Sequence, residues 1–535
     1  MRKVAWTLIY FASAVVSFST CMDPRTIPDA PVIDLGYAQY RGVFDLVNNI
    51  TSYLGIRYAA PPIDNLRWRA PQPPADNSST VQLANTQPLP CFQAGVGLAP
   101  NSLEVLERRA TIGDPIEDCL FLNVYFPGDT IPANPLPTLV WIHGGGYVMG
   151  GADEYPGSDL MREANNGIVL VIIQYRLGIF GFLAGSKVKE NGDLNAGLLD
   201  QNFALRWVQT HISQFGGDPS KVTIWGESAG AGSVVQHIVA QDGQTSPQLF
   251  RGAITSSTFL PSQYAYNDTI PELLYSKVVS QTECSSADDS LTCLRAVDAA
   301  TLETLNNNII AGGFYGTFLF VPVVDGTFIM QRPTEALAQG KVNGKALLSI
   351  TNANEGTIFV NQIDPITNVS LYSSMLFPNF ESQQADDTAE LYANLGSPLE
   401  QDDLIMGESI FICPTYYLLN AFPNSGWKGE FVIPPATHGA DVVYYYTSIG
   451  VPDFPNPDFL AAFQGAFMSF VVSQDPNDKI YTTITPSWNL YSKGNTEMIF
   501  NRTVDYQPDI HVNSTDNGLL ERCNFWNSVG ALTGQ

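Results

Sequence analysis

A serine hydroxyl is a weak nucleophile until its surroundings hold it and accept its proton. In this chain the apolar run Val222-Thr223-Ile224-Trp225 leads directly into Gly226-Glu227-Ser228-Ala229-Gly230. That G-x-S-x-G pattern pins a serine on a sharp strand-to-helix turn with its hydroxyl exposed. Flanking glycines are needed because side chains would clash in so tight a turn. The small, then apolar, residues Ala231-Gly232-Ser233-Val234-Val235 suit a helix that starts close against a sheet. Five residues recur by chance in long chains. Acyl transfer therefore demands the remaining parts: oxyanion donors, a base, and a group to orient the base.

The donors are expected at His143-Gly144-Gly145-Gly146, which follows the apolar run Leu139-Val140-Trp141-Ile142. Backbone N–H groups approach a substrate oxygen most easily where side chains are absent. Gly145 and Gly146, with the N–H of Ala229, supply three such donors. A plain glycine turn is the alternative for a lone triplet. Its position after a strand and upstream of the elbow favours the oxyanion reading.

The base follows by elimination among five histidines. His143 belongs to the glycine loop, and His211 falls on an apolar helical face. His237 lies nine residues past the serine, roughly 13 Å further along a helix. In strand–elbow–helix hydrolases the order is serine, acid, histidine, which leaves His438 and His511. His511 stands in a polar stretch that reads as surface. His438 stands in Pro434-Pro435-Ala436-Thr437-His438-Gly439-Ala440-Asp441, after the strand-like Phe431-Val432-Ile433, and is the expected base. For the acid, Glu355 follows the apolar run Leu347-Leu348-Ser349-Ile350. Asp364, Glu381, Asp386 and Asp387 are rivals in polar stretches without a clear strand before them. Position alone leaves the acid open.

The elements that must carry these groups alternate. Residues 168–173 are all Ile, Val or Leu, as a strand buried on both faces should be. Residues 199–215 have helical spacing, with Ala204, Leu205, Val208, Ile212 and Phe215 on one face, and Gly216-Gly217-Asp218-Pro219 ends that pattern. Further strands are expected at 253–255 and 346–350. Such alternation implies an α/β fold with a mostly parallel sheet, and ligands there bind beyond the carboxyl ends of the strands.

Bulk properties narrow the setting. The chain has 535 residues, of which 45% are hydrophobic, ample for a large core. Its net charge of -26, from 52 acidic and 26 basic residues, disfavours nucleic acid and anionic membrane partners. Arg2 and Lys3 followed by an apolar stretch over 4–18, with small residues Ser17, Ser19 and Thr20, read as a signal peptide over 1–20. Residues 21–535 then form one decorated domain, with no stable membrane anchor. Sequons at Asn49, Asn77, Asn267, Asn368, Asn501 and Asn513 fit export. Of seven cysteines, Cys21 lies beside the cleavage site and is the odd one out; Cys284 and Cys293 would close a short polar loop. No Cys or His cluster has metal-ligand spacing, and no cofactor is expected.

Taken together, these stretches resemble the type-B carboxylesterase/lipase family of α/β-hydrolases, the cholinesterase-like group, with fungal secreted members looking nearest. Phe215-Gly216-Gly217-Asp218-Pro219 running to the elbow resembles the family's serine signature. Glu117-Asp118-Cys119-Leu120-Phe121-Leu122-Asn123-Val124-Tyr125 resembles its second signature. The resemblance runs from about residue 30 to Cys523-Asn524-Phe525-Trp526. It implies an α/β-hydrolase fold and an ester hydrolase with Ser228 as nucleophile, Glu355 as acid and His438 as base. It also implies Gly145, Gly146 and Ala229 as oxyanion donors. Cys91 with Cys119 resembles a pair closing a flap, Cys284 with Cys293 a second pair, and Cys413 with Cys523 a third. Arg67 and Glu117 resemble a structural ion pair at the base of the flap.

Departures bear on substrate. Glu107-Arg108-Arg109 stands where cholinesterases carry a choline-binding tryptophan, so cholinesterase activity is not expected. Gly316 stands where a bulky aromatic narrows the cholinesterase acyl pocket and is expected to leave room. Charges at Glu104, Glu107, Arg108, Arg109, Asp114, Glu117 and Asp118 argue against a broadly apolar lid. A soluble-ester esterase is preferred, with an interfacial triacylglycerol or sterol-ester lipase as the alternative. A non-catalytic adhesion protein on the same fold is the reading from a different class.

Overall fold

The structure is a computed structural model describing residues 29–99 and 114–535. The expected leader over 1–20, Cys21, and the flap residues Glu104, Glu107, Arg108 and Arg109 lie outside the described residues.

In chain order the strands are β1 (Val32–Asp34), β2 (Ala38–Arg41), β3 (Val43–Asp45), β4 (Ile50–Arg57), β5 (Asn77–Leu83), β6 (Phe121–Pro127), β7 (Leu136–Ile142), β8 (Val169–Ile173), β9 (Gly217–Glu227), β10 (Gly252–Ser256), β11 (Ala346–Asn352), β12 (Gly426–Phe431), β13 (Thr496–Arg502) and β14 (Pro508–Ser514). β1, β2 and β5 make a small sheet. The others make one eleven-stranded sheet in the order β14-β13-β12-β11-β10-β9-β7-β8-β6-β4-β3. Neighbours from β8 to β13 run parallel. The strands at both ends are antiparallel. This is the mostly parallel sheet that the alternating pattern implies and the α/β-hydrolase architecture that the family resemblance implies.

Successive side chains on a strand face opposite ways, and the core divides accordingly. Val169, Val171 and Ile173 of β8 join one apolar cluster, while Leu170 and Ile172 join the other. The first cluster is covered by the helices Ala196–His211 and Ala229–Val239, the second by Gly157–Glu163 and Pro457–Ser473. A strand buried on both faces has no polar side to show, which is why the β8 run contains only Ile, Val and Leu.

Three element boundaries differ from the sequence expectation. The helical pattern over 199–215 is an α-helix from Ala196 to His211 continued by a 3-10 turn, Ile212–Phe215. The strand before the elbow begins at Gly217, five residues earlier than its apolar run suggests. The strand leading to His438 is β12, lying mostly upstream of Phe431-Val432-Ile433. A charge hides it from a hydrophobic pattern. Lys428 is fully buried, with its ammonium 2.8 Å from Thr351 Oγ1 and 2.9 Å from Glu497 Oε2.

Disulfides join Cys91 to Cys119, Cys284 to Cys293 and Cys413 to Cys523, with Cα separations of 5.0, 5.5 and 5.0 Å. The first brackets the segment over 100–113. Beside it the buried Arg67 guanidinium pairs with Glu117, with Nη2 2.8 Å from Oε2.

Candidate active site

The elbow is a point of backbone crowding. Ser228 has φ 56° and ψ −125°, a conformation rare for a residue with a Cβ and typical of strained functional turns. It is held from both sides: its N–H donates to Ser256 O at 2.9 Å, and its carbonyl accepts from Gly232 N at 2.8 Å. The flanking glycines are required by space. A Cβ on Gly226 would lie 2.3 Å from the Gly230 carbonyl carbon, and one on Gly230 would lie 2.0 Å from Ile142 O.

Three strand ends then converge. Ser228 follows β9, Glu355 lies three residues past β11, and His438 lies on the loop after β12. His438 Nε2 is 2.8 Å from Ser228 Oγ, and Nδ1 is 2.6 Å from Glu355 Oε2. The other Glu355 oxygen accepts the Asn352 N–H at 2.7 Å. With Nδ1 donating to the carboxylate, Nε2 is left as the acceptor facing the serine hydroxyl. The arrangement can move a proton off Ser228 and hold the resulting imidazolium.

Burial alone would lower the His438 pKa. The Glu355 carboxylate, then Glu227 and Asp441, outweigh it, and the imidazole titrates above its ordinary value. Glu227 Oε1 lies 3.4 Å from His438 Nε2. Asp441 is fully buried and accepts from Asn352 Nδ2 at 3.0 Å and Tyr445 OH at 2.8 Å. Burial raises its carboxyl pKa, partly offset by those two donors. Asn352 Nδ2 also donates to Ser257 Oγ at 3.0 Å, so this one residue holds Asp441 through its side-chain amide and Glu355 through its backbone N–H. Sequence reasoning missed these three residues as site members. Glu227 stood inside the elbow and Asp441 three residues past the histidine; Asn352 gave no signal.

Opposite the serine, the glycine loop turns with φ of 95° at Gly145 and 62° at Gly146. A Cβ on Gly145 would lie 2.2 Å from Met149 O, and one on Gly146 would lie 2.1 Å from the Phe318 ring. Among the described residues, the N–H groups of Gly145, Gly146 and Ala229 have no hydrogen-bond acceptor. Ala229 opens the helix Ala229–Val239, whose N-terminal dipole favours negative charge. The loop therefore offers unspent donors beside Ser228, and a Cβ on Gly144 would lie 3.1 Å from Ser228 Cβ.

An apolar cavity of about 190 Å³ opens beside these groups, lined by Phe259, Phe318, Phe359, Phe411, Val321, Leu376 and Met406 among others. The Phe359 and Phe411 rings lie 5.0 and 4.5 Å from the His438 ring. Gly316 also lines it, but it does not leave the expected room. A Cβ there would lie 2.0 Å from the Phe359 carbonyl oxygen. The residue is small because two backbones meet, and Phe318 fills the space near the glycine loop.

The remaining candidates sit elsewhere. His143 is buried and stacked on Tyr175, and burial lowers its pKa to about 4. His237 is buried 3.1 Å from Gln201 Oε1, and burial lowers it to about 3. His211 packs against Tyr37 and Trp207. His511 is exposed beside Asp509. Asp364, Glu381, Asp386 and Asp387 are all exposed. Among the described residues no group of three or more His, Cys, Asp or Glu is placed to hold a metal.

Comparison with known proteins agrees with this architecture. A family model described as the carboxylesterase family matches residues 29–526. Secreted lipase 1 of Botryotinia fuckeliana is 30% identical over 497 residues, covering 83% of this chain and 84% of that protein. Carboxylesterase patB of Aspergillus clavatus is 30% identical over 550 residues, covering 93% and 96%. Among solved structures, EstA of Aspergillus niger superposes with a TM-score of 0.83 at 32% identity, covering 95% of this chain and 100% of that one.

Proposed function

Since the chain belongs to the carboxylesterase family and is a carboxylic-ester hydrolase, we propose that it works through a Ser228–His438–Glu355 triad and an acyl-enzyme. The observation that carries this is the unbroken line from Ser228 Oγ to His438 Nε2 at 2.8 Å and from Nδ1 to Glu355 at 2.6 Å. Ser228 Oγ attacks the ester carbonyl carbon while its proton passes to Nε2. The carbonyl oxygen becomes an oxyanion facing the N–H groups of Gly145, Gly146 and Ala229. The C–O bond to the alcohol breaks, and the departing alkoxide takes the proton from Nε2 as free alcohol. Water then attacks the acyl-serine, giving its proton to Nε2. Collapse returns that proton to Ser228 and releases the acid.

The aromatic cavity supports a substrate whose hydrocarbon part is a single short chain or small ring. A soluble-ester esterase is preferred. The runner-up is an interfacial lipase. It is favoured by exposed Leu273 and Leu371, which lie on the helices Thr269–Ser280 and Val369–Leu376 that also give Ile270, Leu274, Met375 and Leu376 to the cavity lining. Hydrolysis of a short ester measured below and above its solubility limit decides between them. A smooth saturation curve fits the esterase, and a jump at the interface replaces it with the lipase.

Export as one domain after a cleaved leader is part of the same proposal. Three disulfides support it. Five of the six sequon asparagines are exposed, and Asn501 is half-buried. An adhesion role without catalysis would leave the triad geometry unexplained. An unmodified Ser228 after organophosphate treatment would revive it.

A further inference from the structure

The aromatic wall beside His438 is tied together by a residue far from the chemistry in sequence. Glu408–Ile412 is a π-helical turn in which the Cys413 N–H reaches back to Glu408 O. The Ser409 carbonyl thereby loses its ordinary α-helical partner. Its partner in the π register would be Pro414, which has no N–H. A buried carbonyl without a donor is costly. Here the Gln535 side chain meets the need: Nε2 donates to Ser409 O at 2.7 Å and to Leu260 O at 2.6 Å. The Leu260 N–H in turn donates to Ile410 O at 2.9 Å.

Both clamped segments carry cavity wall. Phe259 precedes Leu260, and Ile410 and Phe411 follow Ser409. The Phe259 and Phe411 rings stack 5.4 Å apart, and Phe411 leans on His438. Gln535 is itself anchored. Its main-chain oxygen accepts from Arg332 Nη1 at 3.0 Å and Thr334 Oγ1 at 2.8 Å. The Gly534 carbonyl accepts the Gln263 N–H at 2.9 Å. Gln263 exchanges two hydrogen bonds, 2.8 and 2.9 Å, with Gln236 on the helix that begins after Ser228. A buried run of amides therefore links the nucleophile's helix to the cavity wall.

We propose that Gln535 is a positioning residue whose carboxamide fixes the Phe259–Phe411 wall and so sets which acyl chains the enzyme discriminates. The inference rests on the reading of the aromatic cavity as the place of the ester's hydrocarbon part.

The test compares kcat and KM for p-nitrophenyl acetate, butyrate and octanoate in the native protein and in Gln535→Glu, which keeps the shape and removes both donors. The spread in kcat/KM between the best and worst chain is expected to narrow by about fivefold or more, mainly through KM. Stoichiometric labelling of Ser228 by an organophosphate should persist. A folded Gln535→Glu with a lower Tm and an unchanged spread would overturn the proposal, because a purely scaffolding role predicts that result. If Gln535→Glu does not accumulate, Thr334→Val and Arg332→Ala loosen its anchors. Each is expected to narrow the spread by about twofold, and an unchanged spread in both folded variants overturns the proposal equally. Native protein with no hydrolysis of any of the three esters sinks the ester-hydrolase reading instead.

Discussion

Around Ser228, backbone meets backbone. A Cβ on Gly226 or Gly230 would lie 2.3 or 2.0 Å from main-chain atoms, closer than any relaxation can absorb without moving a strand. Across the site the contacts are ring against ring, with Phe359 and Phe411 centroids 5.2 Å apart and Phe259 and Phe318 5.7 Å apart. Rings at such distances can shift rotamers and repack. On the proposed mechanism the first region, where backbone leaves no room, governs whether acyl transfer occurs, and the second, whose rings can be exchanged without moving a strand, governs which ester reaches the serine.

Substitutions on the serine side should therefore change rate steeply, and those on the cavity side should change preference. Ser228→Ala is expected to lower kcat by about 10⁵- to 10⁶-fold, read with p-nitrophenyl butyrate against a folded control. Glu355→Gln keeps the shape but removes the charge that orients His438, and should cost about 10⁴-fold in kcat. Gly145→Ala drives a Cβ into Met149 O and displaces an oxyanion donor, for a loss of about 10²- to 10³-fold in kcat. Phe318→Leu lies on the other side of the comparison. It should leave acetate turnover nearly unchanged and raise kcat/KM for branched acyl groups by about tenfold relative to acetate. An equal loss on all esters would break the division between the two regions.

The smallest effect sharpens the electrostatics. On the proposed mechanism only neutral His438 can accept the Ser228 proton, so kcat/KM should fall as pH drops through the imidazole pKa. Glu355, Glu227 and Asp441 together hold that pKa above its ordinary value against burial. The acid limb should accordingly lie above about pH 6.5. Asp441→Asn removes one of the three acids and should move the limb to lower pH. A limb that moves to higher pH would contradict the assignment.

The same contrast explains what the sequence discloses. The elbow, the glycine triplet and the ordering of acid and histidine leave a residue signature because close backbone approach admits only glycine and because acyl transfer needs particular side chains. By local pattern Glu355 differs from Asp364 and Glu381 only in its place just past a strand, which leaves the acid open until the family resemblance singles it out; the structure puts it on His438 while the rivals face solvent. The strands of the sheet centre are plain in β8, where both faces are apolar, and hidden in β12, where buried Lys428 breaks the pattern. The cavity leaves no such trace. Phe259, Phe318, Phe359 and Phe411 come from segments over 150 residues apart at the extremes, and nothing in their local pattern distinguishes a pocket wall from core. Gly316 shows the hazard: its small size suggests space, and the structure fills that space with the Phe359 backbone.

The central claim is that Ser228, raised on its strained turn and facing His438, forms the covalent acyl intermediate. Treating the protein with diethyl p-nitrophenyl phosphate and mapping the adduct by peptide mass spectrometry tests it most directly. One adduct per chain on the peptide containing Ser228, formed in step with the loss of esterase activity, is the expected result. Full inactivation with Ser228 unmodified, or esterase turnover retained by folded Ser228→Ala, would contradict it.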